Sequence, residues 1–163
     1  MNKIAFIGAG NMARAIIIGL VNSGVSAQNI IVANPSPEKR VNLANEFGVQ
    51  QTSDNIKATE FADIIVLCVK PHLICGVCQQ LSSTFDISNK LFISVAAGTT
   101  VDQIQQALNI NVALVRVMPN TPSLVGAGVN AFYFTDEVTS TDREYLLEMF
   151  SSFSKVFTFK TEN

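Results

Sequence analysis

The chain has 163 residues, 48% of them hydrophobic and 15% charged, with a formal net charge of −2. That length suits one domain with a sizeable core, and nine glycines and five prolines are too few for a low-complexity or disordered chain. The slightly acidic balance excludes an extended basic surface for nucleic acid. Cys68, Cys75 and Cys78 are an odd number crowded into one stretch. They form no disulfide framework, and a reducing, cytoplasmic location is the expectation. No apolar run reaches the roughly 18 residues of a membrane span, and Met1–Ile7 is too short for a signal peptide.

Strands and helices alternate along the whole chain. Lys3–Ile7 is an apolar run stopped by Gly8 and predicts a buried strand. Asn11–Asn22 places Met12, Ile16, Ile17 and Leu20 at helical spacing, with Gly24 suited to the C-cap. Ile30–Ala33 predicts a second strand. Ser36-Pro37 has the form of an N-cap and first helical position, opening a helix to about Phe47, after which Gly48 ends it. A short helix leads to Phe61. Ala62–Val69 is almost continuously apolar, as a strand covered on both faces must be, and Pro71 starts a helix to about Leu81. Leu91–Val95 predicts a strand closed by Ala96-Ala97-Gly98, and Val101–Leu108 a helix capped by Thr100. Val112–Val117, Gly128–Phe134 and Lys155–Phe159 predict three further strands, with a helix over Ser140–Phe150. This order predicts an α/β Rossmann-type, doubly wound, mainly parallel sheet with helices on both faces, built as one domain over residues 1–163.

The strongest motif is Gly8-Ala9-Gly10-Asn11-Met12-Ala13, between a strand and a helix. In that context Gly8 permits the tight turn and Gly10 lets backbone approach a pyrophosphate. Ala13, in place of a third glycine, allows close helix–strand packing. The helix start offers free N–H groups and partial positive charge to phosphates. NAD-binding domains place an acid at the end of the second strand for the ribose 2′-OH. Here that strand ends Val32-Ala33-Asn34-Pro35-Ser36, without an acid. Asn34 and Ser36 can hydrogen-bond a 2′-phosphate, and Lys39 or Arg40 can add positive charge. NADP is therefore favoured, with NAD the alternative and nearby Glu38 counting for it.

Three further segments accompany the glycine motif: Ile65–Val69 into Lys70-Pro71-His72, Phe92–Val95 into Ala96-Ala97-Gly98, and Val115–Val117 into Met118-Pro119-Asn120-Thr121-Pro122. In this order they resemble pyrroline-5-carboxylate reductase over essentially the whole chain. The resemblance implies reduction of the cyclic imine 1-pyrroline-5-carboxylate to proline with NADPH or NADH. It implies that Gly8, Ala9, Gly10, Asn11 and Met12 hold the pyrophosphate, that Asn34 and Ser36 sit at the adenosine ribose, and that Asn55 is a further cofactor contact. Val69, Lys70 and Pro71 would line the ribose and nicotinamide side, with Ala96, Ala97, Gly98 and Asn120 approaching the nicotinamide. No proton donor is assigned; Lys70 fits a cofactor-side role better than that of an acid. The family also carries a C-terminal helical domain that dimerises and shapes the imine site. No segment of the chain matches it, so the expectation is the cofactor-binding half of an enzyme that is a homo-oligomer at full length.

Other features have plainer explanations. Cys75-Gly76-Val77-Cys78 is a CxxC preceded by His72, but no second Cys/His pair completes a zinc site. Buried, inert cysteines are expected, with His72 structural. Phe132-Tyr133-Phe134 and the stripe Tyr145, Met149, Phe153 read as packing surfaces. Two rival functions remain open. One is a stand-alone NADP-binding or redox-sensing module without turnover. The other is a related Rossmann reductase such as a β-hydroxyacid dehydrogenase, against which Asn120-Thr121-Pro122 speaks.

Overall fold

Continuous apolar runs become strands buried along their full length, because helices cover both sides of the sheet. In the computed structural model, which describes residues 2–119 and 128–162, this holds for β1 (Ile4–Ile7), β2 (Ile30–Ala33), β4 (Ile64–Leu67) and β5 (Leu91–Ser94). The other strands are β3 (Gln50–Thr52), β6 (Ala113–Pro119), β7 (Val129–Phe134) and β8 (Lys155–Phe159). Between them run α1 (Asn11–Asn22), α2 (Pro37–Phe47), α3 (Asn55–Phe61), α4 (Pro71–Thr84), α5 (Val101–Leu108) and α6 (Ser140–Ser151).

The eight strands form one sheet in the order β3-β2-β1-β4-β5-β6-β7-β8. Every pairing is parallel except β6 with β7. This is the doubly wound order, and the winding reverses between β1 and β4, where such sheets open a crevice at their carboxyl edge. Two cores follow from the alternation of side chains along each strand. On one face α1, α2 and α6 bury Ile16, Ile17, Leu20, Leu43, Leu146 and Phe150 against Phe6, Val32, Val66 and Phe132. On the other, α3, α4 and α5 bury Ala58, Ile74, Leu81 and Ile104 against Ile7, Ile65, Leu67 and Phe92. Truncating any of the large ones to alanine costs about 2–5 kcal/mol.

Some boundaries differ from the sequence expectation. The strand expected over Ala62–Val69 is confined to Ile64–Leu67, because Ala62 serves as the C-cap of α3 and Cys68 already turns away after one hydrogen bond to Ile7. Ser23, not Gly24, is the C-cap of α1; the glycine follows it. β3 was not expected: it is a three-residue polar edge strand whose two glutamines are exposed, held by backbone pairing to β2 with no apolar pattern to announce it. Thr100 caps α5 as expected and forms a complete capping box with Gln103. Tyr145, Met149 and Phe153 pack at the margin of the first core, where Phe150 meets Phe132 edge-on at 5.1 Å. Among the described residues no helix is long and apolar enough to cross a membrane.

Candidate functional site

The sheet register sets the site. Ile7 lies level with Ala33 on one side and Leu67 on the other, and Leu67 with Ser94. The carboxyl ends of β2, β1, β4 and β5 therefore stand side by side. What leaves them is, in order, Asn34–Ser36, Gly8–Met12, Val69–Pro71 and Ala96–Gly98. The structure thus sets these four motifs on adjacent strands at one edge of the sheet. Backbone bonds stitch the edge: Gly8 N–H donates to Ala33 (2.8 Å), Cys68 N–H to Ile7 (2.8 Å) and Val95 N–H to Leu67 (3.3 Å).

The two glycines of the first turn are required for different reasons. Gly8 has φ +110°, and a Cβ there would lie 2.8 Å from the carbonyl carbon and oxygen of Cys68 and 3.0 Å from the nitrogen of Val69. Backbone conformation and the closeness of β4 both demand glycine. Gly10 has φ −81° and ψ −167°, extended backbone open to any residue. Apart from its own chain neighbours, no atom of the described residues lies within 4 Å of where its Cβ would sit. The fold does not ask for glycine at position 10, which lines a hollow with Asn11, Arg14 and Lys39.

Helix N-termini repeat the theme. Asp54, Thr100 and Thr139 cap α3, α5 and α6 with their side chains. Among the described residues, the N-cap residues of α1, α2 and α4, the three helices that leave β1, β2 and β4, make no side-chain capping bond. In α1 the Gly10 carbonyl accepts from Arg14 (3.1 Å), and the N–H groups of a helix's first turn have no acceptor within the helix itself. Ser36 is the N-cap of α2 by backbone geometry, but its hydroxyl makes no capping bond.

At the end of β2, Asn34 donates its amide to the Ser36 carbonyl (3.1 Å). Arg40 holds the Asn34 carbonyl (3.0 Å) and Gln51 (2.7 Å), so its guanidinium shapes the turn. Lys39 instead lines a hollow of about 260 Å³ with Ala9, Gly10, Asn11 and Arg14. Arg14, one turn into α1 and ion-paired to Glu46, is a cation of the site not singled out from the sequence; its spacing after Gly10 was the available signal. A larger hollow of about 370 Å³ opens among Asp63, Lys90, Glu137 and Asp142 at the amino ends of the strands, the opposite edge from every motif.

Lys70 and Pro71 are exposed at the start of α4 and Val69 is half-buried beside them. Asn55 opens α3 and donates its amide to Gln80 of α4 at 3.4 Å. Asn120 lies outside the described residues. The expectation of buried cysteines holds for Cys78 and fails for Cys75, which is exposed on the outer side of α4. Burial, and secondarily Cys75, pushes the Cys78 thiol up to about 12, and burial also raises that of Cys68. Among the described residues no His, Cys, Asp or Glu cluster could hold a metal ion, and His72 is exposed.

A model of the family described as NADP oxidoreductase, coenzyme F420-dependent, matches residues 3–98. The chain is 46% identical to the pyrroline-5-carboxylate reductase of Vibrio alginolyticus over 154 residues, 94% of this chain and 56% of that protein. A solved pyrroline-5-carboxylate reductase from Coxiella burnetii is similar with a TM-score of 0.93 at 35% identity, over 99% of this chain and 60% of that one. The Plasmodium falciparum pyrroline carboxylate reductase with NADP bound gives 0.85 at 29% identity, over 98% and 58%. The chain therefore spans somewhat over half the length of these relatives.

Proposed function

Because the chain belongs to the family of coenzyme F420-dependent NADP oxidoreductases, we propose that it is the dinucleotide-binding domain of an NADPH-dependent 1-pyrroline-5-carboxylate reductase, an enzyme of proline biosynthesis. The observation that carries the nucleotide is Gly10: its Cβ would occupy open space above the uncapped start of α1, where a pyrophosphate needs bare backbone. The substrate rests on the similarity to pyrroline-5-carboxylate reductases.

In this reading Gly8, Ala9, Gly10, Asn11 and Met12 cradle the pyrophosphate on the N–H groups of α1. Asn34 and Ser36 hydrogen-bond the 2′-phosphate, Lys39 supplies charge, and Arg40 keeps Asn34 in place. NADPH is preferred because no acid at the end of β2 repels that phosphate, with NADH a weaker alternative. Val69, Lys70 and Pro71 line the nicotinamide ribose. Ala96, Ala97, Gly98 and Asn120 approach the nicotinamide, and Asn55 serves after releasing Gln80. When bound, the reduced nicotinamide supplies the hydride for the imine carbon. The task left to these residues is orientation and exclusion of water. Residues 1–163 count as one domain. The helical domain that the resemblance implies for imine binding and dimerisation finds no match within them. The partner is a small-molecule imine and not nucleic acid, in keeping with the net charge of −2. The place of action is the cytoplasm, in keeping with free cysteines.

The test is titration of the folded chain with NADPH and NADH by nucleotide fluorescence, followed by oxidation assays with pyrroline-5-carboxylate. NADPH binding with turnover supports the whole reading. Binding without turnover keeps the nucleotide assignment and favours a cofactor module. A folded chain that binds neither nucleotide overturns the proposal.

A further inference from the structure

Glu162 is remote in sequence from every motif of the crevice, yet the fold returns it there. β8 ends at Phe159, level with Tyr133 of β7 and Arg116 of β6. Residues 160–162 then cross back toward α5, and one carboxylate oxygen of Glu162 accepts two hydrogen bonds. One comes from the Arg116 guanidinium (2.5 Å), the other from the backbone N–H of Val101 (2.7 Å). The paired side chains are sheltered, 11% exposed for Arg116 and 21% for Glu162, against 43% and 45% for Arg14 and Glu46. Sheltered, charge-assisted bonds are screened less by salt and hold geometry better than surface pairs.

Both ends of this clamp reach the β5–α5 loop. Val101 is the first residue of α5, and the capping box deals only with the N–H groups of Thr100 and Gln103. The Glu162 carboxylate thus supplies the acceptor for a helix-start donor that the box leaves out, and negative charge is favoured at a helix N-terminus. Arg116 lies opposite Ser94, the last residue of β5, and the Ser94 hydroxyl accepts from Ala96 N–H at 3.4 Å. Between these anchors run Ala96, Ala97 and Gly98, the last at φ +78°. The loop turns at Ala97 and Gly98, and its two anchored ends decide how that turn sits against the sheet.

We propose that Glu162 is a positioning residue. Through Val101 and Arg116 it sets the conformation of the Ala96–Gly98 loop and thereby the nicotinamide end of the crevice, without itself touching nucleotide or substrate. This rests on the reading of residues 96–98 as nicotinamide-side contacts.

The experiment compares two ligands on the chain and on Glu162→Gln and Glu162→Ala. NADPH reaches both ends of the crevice. Adenosine diphosphate ribose 2′-phosphate carries the same adenosine, phosphates and ribose but no nicotinamide. Glu162→Ala should weaken NADPH binding about tenfold and leave the nicotinamide-free ligand within about twofold. Glu162→Gln keeps an acceptor for Val101 without the charge, so it should fall between wild type and alanine and remain folded if the alanine variant does not. Equal weakening of both ligands would reduce Glu162 to a general structural role and overturn the proposal, as would unchanged NADPH affinity in both variants. Failure of the wild-type chain to bind either ligand removes the nucleotide reading, and this inference with it. Selective failure in the variants alone cannot arise that way.

Discussion

Replacing Gly10 by alanine separates what the fold needs from what a ligand needs. Its φ of −81° and ψ of −167° suit alanine, and among the described residues the new methyl meets no atom within 4 Å. Alanine is a poorer N-cap than glycine by roughly 0.5–1 kcal/mol, but it narrows the unfolded ensemble by about 0.4–1 kcal/mol in compensation. Stability should therefore stay within about 0.5 kcal/mol of wild type. The methyl would, however, stand between the N–H groups of α1 and a pyrophosphate. Each hydrogen bond to a charged group contributes about 1.5–3 kcal/mol, so losing one weakens NADPH binding by roughly 10- to 100-fold. Gly8→Ala is the contrasting case. A positive φ costs about 1–3 kcal/mol, and crowding of the Cys68 and Val69 backbone adds about 1–3 kcal/mol. That lowers the melting temperature by roughly 4–24 °C at about 2–4 °C per kcal/mol. Urea melts and calorimetric NADPH titration measure both quantities. A Gly10→Ala chain destabilised by more than about 2 kcal/mol with its NADPH affinity intact would refute the argument that a ligand, and not the fold, demands this glycine.

Asn34→Asp restores an acid at the end of β2, and should cut NADPH affinity at least about tenfold while sparing NADH; equal loss for both nucleotides would remove Asn34 from the 2′-phosphate. Gly19 sits in α1 where a Cβ would lie 2.6 Å from Cγ of Phe153 and overlap its ring. Overpacking of about 1–3 kcal/mol outweighs the gain of about 1 kcal/mol in helix propensity, so Gly19→Ala should melt earlier by several degrees, and a higher melting temperature would show that Phe153 yields freely. Iodoacetamide should label Cys75 in the folded chain, and Cys78 only after unfolding, as peptide mass mapping would show. An unfolded thiol ionises near ~8.5, whereas burial pushes Cys78 up to about 12. Above that lower pH the folded state holds more protons, so this thiol makes stability fall as pH rises until the folded thiol ionises in turn. Urea melts at about pH 8 and about pH 10 compare the two regimes, and stability that rises in alkali would contradict the burial of Cys78.

Much of the fold was legible locally. Strands buried on both faces must be continuous apolar runs, so Ile4–Ile7, Ile30–Ala33, Ile64–Leu67 and Leu91–Ser94 announced themselves. Thr100 at an N-cap, and Pro37 and Pro71 at first helical positions, marked helix starts by chemistry that acts within one turn. The glycine motif was equally local, since a strand, a tight turn and a helix start are consecutive in the chain. β3 was not legible, because an edge strand of Gln50, Gln51 and Thr52 buries no stripe and depends on the neighbour that pairs with it. Cys75 and Cys78 share one helix and one spacing rule, and only the packing of α4 on the sheet decides that one faces water and the other the core.

By itself, then, the sequence determined the alternation of elements, the helix caps and the presence of a glycine turn between a strand and a helix, all properties of residues close together in the chain. Tertiary structure alone decided that β1 lies between β2 and β4, so that four separate motifs share one edge. It alone distinguished Gly8, pressed against Cys68, from Gly10, facing open space. It alone brought Glu162 to Arg116 and Val101. The physical reason is common to all three: strand order and the return of the chain from β8 are set by burial summed over the whole sheet, and no window of neighbouring residues contains that sum.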